Sequence, residues 1–242
     1  MKRILFIAAH PDDETFFAAG TFAKYREAGV ELHVLCATRG DQGKCGGVCT
    51  PEELADLRER ELTNAMDAIG GAQVELLPYK DKKLSEAPSQ EMRAHLVAAI
   101  RRVRPDITIT FDPHGANQHP DHIAISRSVS DSVPVAADAR WFPELGAPFE
   151  VPRLLWTPPT ILFRLPPDAD PRQLPGFDFI IDVEPWKQEK TKAFEAHRTQ
   201  FPGLKKLFFD DPNGQRTFNI EAFRFAAGRR PAVIPADDLF AE

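Results

Sequence analysis

Two short stretches of this sequence bring histidine and carboxylate side chains together. The first, HPDDE, occupies residues 10–14 and directly follows an apolar run, and the second, HPDH, occupies residues 119–122. Carboxylates that are packed together repel one another and resist removal from water. Some positive group must compensate them, and a divalent metal ion is the obvious candidate.

The spacing within the two stretches suits a catalytic zinc site. His10 and Asp13 are three residues apart, and so are His119 and His122. Zinc binds imidazole nitrogen and carboxylate oxygen, and three protein ligands leave a position for a water molecule whose pKa falls to about 7. A neighbouring carboxylate that is not a ligand can then act as a base, and Asp12 is available for that role.

If either stretch is taken alone, its acidic residues could serve the structure of a helix and not a metal site. The helix dipole favours acidic residues, such as those at 12–14, at the amino end of a helix. Because histidine and acid recur after a second predicted strand, one shared site is favoured over this alternative. Of the other histidines, we interpret His33, His95 and His114 as structural, surface or loop residues.

The elements that must position these residues alternate between strands and helices. The predicted strands are 2–9, 31–38, 73–79 and 106–111. The predicted helices are 14–29, 50–71, 89–105 and one that starts within 119–133. This order predicts an α/β, Rossmann-like fold, a mostly parallel sheet with helices on both faces. Both stretches follow strands, so the metal site is expected at the carboxyl ends of the strands.

The chain of 242 residues fits a single domain, 1–242. Segment 134–176 is rich in proline, and we expect an irregular excursion with at most short strands that shapes the substrate pocket. Later strands are predicted within 160–165 and 177–183, and a further helix over 184–201.

Composition excludes several function classes. The formal net charge is −6, and an acidic chain supplies no basic field for nucleic acid or for an anionic membrane. The amino-terminal apolar run is too short for a signal peptide, and no stretch approaches the roughly 20 apolar residues of a membrane span. We therefore expect a cytoplasmic enzyme with a small-molecule substrate; a homo-oligomer is possible.

The three cysteines are too few for a disulfide framework. Cys45 and Cys49 lie in one loop, where they could form a second metal site, a redox switch or a disulfide. Because structural zinc usually takes four ligands, two thiols make a poor zinc site, and free or loosely paired cysteines are favoured.

The segments AAHPDDE (8–14) and HPDH (119–122) together resemble the LmbE-like, PIG-L-type N-acetylglucosaminyl deacetylases, which are zinc hydrolases with a Rossmann-like fold. TRGDQG (38–43), LRERELTNAMDAIGG (57–71) and KAFEAHRTQF (192–201) also resemble segments of that family. The resemblance covers most of the chain.

The resemblance implies a role for each residue of the two stretches. The implied metal ligands are His10, Asp13 and His122. Asp12 would be the general base. His119 would stabilise the oxyanion or protonate the leaving amine, and Asp121 would orient it.

The resemblance also implies substrate-binding residues. Arg58 is the expected anchor, since a guanidinium can grip sugar hydroxyls or a phosphate; the alternative is a helix pair with Glu61. His197 and Gln200 are expected to line the cleft.

Three functional hypotheses follow. The leading one is a metal-dependent hydrolase, with zinc or another divalent ion, that removes acetyl from an N-acetylglucosamine-type sugar conjugate. The second is a metal-dependent amidase on a non-sugar amide, such as a thiol-cofactor or antibiotic conjugate. The third is a nucleotide-binding module without catalysis, but no Gly-x-Gly-x-x-Gly follows the first strand.

Overall fold

The computed structural model describes residues 1–158, 169–173 and 175–242. Its strands are β1 Arg3–Ala8, β2 Glu31–Thr38, β3 Gln73–Tyr79, β4 Ile107–Phe111, β5 Arg153–Thr157, β6 Phe179–Asp182 and β7 Ile220–Gly228. Its α-helices are α1 Asp13–Glu27, α2 Leu54–Ala68, α3 Ser89–Val103, α4 Gly115–Gln118, α5 Pro120–Ala137, α6 Lys187–Ala196, α7 Phe201–Phe208 and α8 Pro212–Thr217.

Within these residues, seven strands form one sheet in the order β3-β2-β1-β4-β5-β7-β6. Neighbouring strands from β3 to β5 are parallel, whereas β7 runs antiparallel to both β5 and β6. All of β4, and all of β1 except Arg3, is buried, as expected for strands covered on both faces. The predicted α/β fold with a mostly parallel sheet is confirmed.

Helices cover the two faces of the sheet. α3 packs against α5, while α1 and α2 pack against α6. Right-handed connections that run outward from β1 to β3 and then return to β4 place these two groups on opposite faces. The loops that follow β1 to β4 therefore meet at one edge of the sheet, its carboxyl edge, where open parallel sheets bind their ligands.

Several element boundaries differ from the predictions. The helix predicted over 50–71 begins at Leu54, because Thr50–Glu53 form a turn in which the Thr50 N–H donates to Glu53 Oε2 (3.0 Å). The helix predicted over 184–201 is shorter, since α6 covers only Lys187–Ala196; α7 begins at Phe201 after a short connection. Among the described residues, no helix combines the length and the apolar composition that crossing a membrane requires.

The proline-rich segment 134–176 holds more regular structure than predicted. α5 continues through Pro134 to Ala137, and β5 lies inside the sheet between β4 and β7. β5 can take that position because all but one of its residues are buried. The strand predicted over 160–165 lies outside the described residues.

Candidate active site

A cavity of about 300 Å³ lies at the carboxyl edge of the sheet. Seven of the nine predicted site residues line it: His10, Asp12, Asp13, Arg58, His119, His122 and Gln200. The other two, Asp121 and His197, are fully buried. No described residue of segment 134–176 lines this cavity, so the described part of that segment does not shape the pocket as predicted.

Three side chains converge as metal ligands would. His10 Nδ1 lies 3.2 Å from His122 Nε2, and Asp13 lies 3.2 Å from His122 Nε2 through Oδ1 and 3.6 Å from His10 Nδ1 through Oδ2. Ligand atoms about 2.1 Å from a tetrahedral ion lie about 3.4 Å from one another. These buried nitrogen and oxygen atoms therefore fit a divalent metal ion.

The far side of the His10 ring is held by two carboxylates. His10 Nε2 lies 3.1 Å from Asp121 Oδ2 and 3.1 Å from Asp81 Oδ1. Burial alone would lower the pKa of His10, but hydrogen bonds with Asp121, Asp13 and Asp81 raise it well above its ordinary value. The two carboxylates favour a proton on Nε2, so that the neutral ring keeps the lone pair of Nδ1 for a metal ion.

Sequence reasoning missed Asp81. No motif surrounds it, but it lies two residues after the end of β3, as His10 lies two residues after the end of β1. That shared position at strand ends is the signal that could have found it.

Asp121 contacts His119 through its backbone rather than through its side chain. Its backbone N–H, not its carboxylate, donates to His119 Nδ1 (3.2 Å), because His119 caps the amino end of α5. The Asp121 carboxylate accepts instead from the N–H groups of Lys82 (2.5 Å) and Leu84 (3.1 Å) and faces His10. Asp121 therefore contacts His119 through its backbone, while its carboxylate contacts His10; that Asp121 orients His119 in catalysis stays a prediction.

His119 is half-buried, and its ring lies edge-on to His10. Burial, and then the positive charges of His10 and His122, lower the pKa of His119. Since Nδ1 accepts from Asp121, the neutral ring carries its proton on Nε2 and is a hydrogen-bond donor beside the cavity. One ring nitrogen of each of these three histidines also lies within 4.8 Å of the others, so His119 is an alternative metal ligand.

Asp12 and Asp13 differ in their hydrogen bonds. Asp13 Oδ2 accepts from the backbone N–H groups of Ala9 (3.1 Å) and His10 (2.7 Å), which fixes this carboxylate as an anion. The Asp12 side chain is 21% exposed and lies 3.2 Å from Arg58 Nη2. Burial raises the pKa of Asp12 to about 6, although Arg58 opposes the shift. A carboxylate with this pKa can exchange protons near neutral pH.

Arg58 is only 3% exposed and holds the site loops together. It donates from Nη1 to Gly40 O (3.0 Å) and from Nη2 to Pro11 O (2.5 Å). A Cβ atom on Gly40 would lie 2.2 Å from Arg58 Nη1, so this loop needs glycine there. The alternative pair with Glu61 does not form, because the Glu61 carboxylate binds Thr199. Substrate contact by Arg58 stays a prediction.

His197 differs from the prediction that it lines the cleft. Its side chain is 0% exposed, and Nε2 lies 3.2 Å from Glu14 Oε1 and 3.1 Å from Thr15 Oγ1. It faces the start of α1 rather than the cavity. Gln200 does line the cavity, and its Nε2 donates to Lys44 O (2.8 Å).

Cys36, Cys45 and Cys49 are free thiols. Cys45 and Cys49 are half-buried at the two ends of a turn closed by the bond from Val48 N–H to Cys45 O (3.0 Å). In the described part of the chain, neither thiol belongs to a group of three metal-binding side chains. The structure of this loop therefore agrees with the interpretation of Cys45 and Cys49 as free cysteines.

A larger cavity, about 380 Å³, lies around the amino ends of β1 to β3, on the opposite edge of the sheet. Four of its charged groups are paired with one another: Arg3 with Glu31 at 2.9 Å, and Arg102 with Glu75. It also lacks the convergent histidines and acids of the carboxyl edge, so we place the candidate site at the carboxyl edge.

Comparison with known proteins identifies the family. Residues 5–133, more than half of the chain, match the family described as PIG-L, GlcNAc-PI de-N-acetylase. The chain belongs to the PIG-L family. The matched range contains all the candidate ligands as well as Asp12 and His119.

Similar proteins extend the match to the whole length of the chain. The 1D-myo-inositol 2-acetamido-2-deoxy-alpha-D-glucopyranoside deacetylase of Rhodococcus jostii (strain RHA1) is 30% identical, over 99% of this chain and 97% of the relative. The solved structure of a conserved protein from Thermus thermophilus, TT1542, has a TM-score of 0.72 at 26% identity, over 98% of this chain and 100% of that one. The N,N'-diacetylchitobiose deacetylase of Pyrococcus horikoshii shares the fold, with a TM-score of 0.73 at 23% identity, over 93% of this chain and 84% of that one.

Membership of the PIG-L family confirms two predictions, the family itself and the enzyme class, a hydrolase that removes acetyl groups. It favours that class over a nucleotide-binding module without catalysis. The family is metal-dependent, in agreement with the convergence of His10, Asp13 and His122.

Proposed function

We propose that the protein removes the acetyl group from an N-acetylglucosamine-type sugar conjugate, with a divalent metal ion, zinc by preference, held by His10, Asp13 and His122. The observation that carries this proposal is the convergence of these three side chains beside Asp12 and His119 in one cavity. Two imidazoles and one carboxylate suit a catalytic zinc site. The single domain, the cytoplasmic location and a homo-oligomer stay predictions.

The residues of the chain divide the proton transfers between them. A bound divalent ion would polarise the acetyl carbonyl and lower the pKa of a water molecule. Asp12, whose pKa is about 6, takes up the proton that the attacking water loses. His119 donates from Nε2 to the oxygen on which negative charge develops, or to the leaving amine.

The cavity wall supports a sugar conjugate as the substrate. Gln42, Lys82 and Gln200 supply polar groups that suit hydroxyls, while Phe16 and Leu204 supply an apolar surface that suits a sugar face or an acetyl methyl. The Rhodococcus jostii relative is named for a 2-acetamido-2-deoxy-glucopyranoside of inositol. We infer an N-acetylglucosaminide with a polar aglycone, inositol being the first to test.

The direct test is acetate release by zinc-loaded protein from free N-acetylglucosamine, its disaccharide, and its conjugates with inositol and malate. The Asp12→Asn protein, loaded equally, is the blank. We expect the wild-type protein to release acetate from the inositol conjugate and the Asp12→Asn protein to release none. If zinc is bound but no acetate is released from any of these sugars, the sugar assignment is overturned and a non-sugar amide is favoured.

A further inference from the structure

The carboxylate of Glu14 lies fully buried at the end of the first histidine-and-acid stretch. Its Oε2 accepts from the backbone N–H of Asp12 (3.2 Å). Its Oε1 accepts from Thr15 Oγ1 (2.6 Å) and lies 3.2 Å from His197 Nε2. Glu14 does not line the cavity, so its side chain contacts the site only through these neighbours.

His197 must act as a donor in this cluster. Its Nε2 faces an oxygen of Glu14 and one of Thr15, and Thr15 Oγ1 already donates to Glu14. Among the described residues, His197 Nδ1 is buried without a partner. A proton on Nδ1 would leave a buried donor unsatisfied and turn a lone pair of Nε2 toward the carboxylate, so the proton belongs on Nε2.

The backbone that Glu14 holds is strained. Asp12 has φ 136° and ψ −21°, outside the regions that non-glycine residues favour. Such a conformation persists only where its surroundings fix it. Here the Asp12 N–H is held by Glu14, the Pro11 carbonyl is held by Arg58, and the Asp12 carbonyl accepts from the Phe16 N–H (2.8 Å).

We propose that Glu14, itself held by His197, is a positioning residue that fixes the backbone of Asp12 and so aims its carboxylate. Asp12 directly precedes the candidate ligand Asp13, so its strained backbone sets the direction of the base relative to the ligand. Glu14 makes this contact without lining the cavity. The inference rests on the proposed role of Asp12 as the base.

Glu14→Gln tests the inference with little change of shape. Glutamine has one acceptor oxygen, whereas the Glu14 carboxylate accepts on both oxygens. One of the donors, the Asp12 N–H or His197 Nε2, must then face an NH₂ group. We expect kcat to fall about 100-fold through misplacement of the base, with KM within about threefold of the wild type and bound metal unchanged.

Glu221→Gln is the matched control. Glu221 is also buried, and its carboxylate accepts from backbone N–H groups of α1, at Gly20 (2.9 Å) and Thr21 (2.7 Å), and pairs with Lys190 Nζ (2.9 Å). It lies outside the cavity lining. This variant should lose stability while its kcat stays at the wild-type value, which separates positioning from a general structural effect.

Hydrogen exchange of backbone amides gives a readout that does not depend on activity. In metal-free protein labelled with ¹⁵N, Glu14→Gln should speed exchange at the Asp12 amide by about tenfold or more. The amides of Gly20 and Thr21 should keep their protection. Glu221→Gln should give the reverse pattern.

A second pair of variants applies if Glu14→Gln does not fold. His197→Gln keeps a donor near the Nε2 position, whereas His197→Leu removes it. We expect the glutamine variant to retain more of kcat, and more protection at the Asp12 amide, than the leucine variant. Equal kcat and equal protection in the two variants would overturn the role of His197.

The positioning role of Glu14 and the proposed deacetylation have separate tests. Unchanged exchange at the Asp12 amide in Glu14→Gln, or kcat unchanged despite faster exchange, would overturn the positioning role. Wild-type protein that binds metal but releases no acetate would instead overturn the proposed function, whatever the exchange data show.

Discussion

Asp12 and Asp13 are neighbours in the chain, yet their surroundings move their pKa values in opposite directions. Burial raises the pKa of Asp12 to about 6. Burial would also raise the pKa of Asp13, but the charge of His122 and the hydrogen bond with His10 hold it well below its ordinary value. Two adjacent carboxylates can therefore serve as a permanent anion and as a proton acceptor.

The pKa of Asp12 predicts the acidic side of the pH profile. A base must be unprotonated, so with a pKa of about 6 kcat/KM should fall about tenfold per pH unit below that value and be level above it. A bound cation favours the anion and can only move this fall to lower pH. The measurement is kcat/KM against pH with bound metal checked at each point. A similar fall in the residual activity of Asp12→Asn would contradict the assignment.

Asp81 should tune metal binding through His10. Asp81→Asn removes one of the two carboxylates at His10 Nε2, so the ring is less firmly oriented and Nδ1 is a weaker ligand. We expect the metal dissociation constant to rise about 10- to 100-fold, measured by competition with a chelator. Glu86→Gln, at an exposed carboxylate paired with Lys83, is the control and should leave it unchanged. An unaltered dissociation constant in Asp81→Asn would remove this role.

At the scale of elements, the connection between α6 and α7 ties the carboxyl-terminal part of the chain to the site. His197 binds the start of α1, Thr199 binds Glu61 of α2, and Gln200 binds the loop at Lys44. Three neighbouring side chains thus join three separate elements. A segment far along the sequence thus contacts the helix that directly continues from residues 10–14.

Glu61→Gln tests the strength of that connection. The Glu61 carboxylate accepts from both the N–H (2.9 Å) and Oγ1 (2.6 Å) of Thr199, and both residues are buried. Leaving one buried donor without its acceptor should lower the free energy of unfolding by about 1–3 kcal/mol, measured by urea denaturation. Glu59→Gln on the same helix breaks an exposed pair with Arg39 and should cost less than about 1 kcal/mol. Equal losses would show that burial at Thr199 is unimportant.

At the scale of the molecule, the sequence predicts the fold class, a mostly parallel sheet with helices on both faces. The apolar run within 2–9 and the alternation of apolar residues with threonine within 106–111 are typical of buried strands, and the succession of strands and helices leaves few topologies. The pairing of β7 between β5 and β6 was not predictable, because it depends on contacts between distant segments rather than on local periodicity.

The site was predictable where its residues share a motif. The two histidine-and-acid stretches meet because they follow strands that are neighbours in the sheet, β1 and β4. Three features were not predictable: the contact of Asp81 with His10, the buried position of His197, and the contact of the Asp121 carboxylate with His10. Each depends on how a loop turns after its strand or helix, and the sequence carries no periodic signal for that.

The proposed function requires that His10, Asp13 and His122 together hold the metal ion on which deacetylation depends. The decisive measurement is bound zinc and acetate release in the same samples of wild type, Asp12→Asn, His119→Ala and His122→Ala. We predict that His122→Ala loses both zinc and activity, while Asp12→Asn and His119→Ala keep zinc and lose most of kcat. Loss of zinc in His119→Ala, or acetate release by His122→Ala at the wild-type rate, would contradict the account.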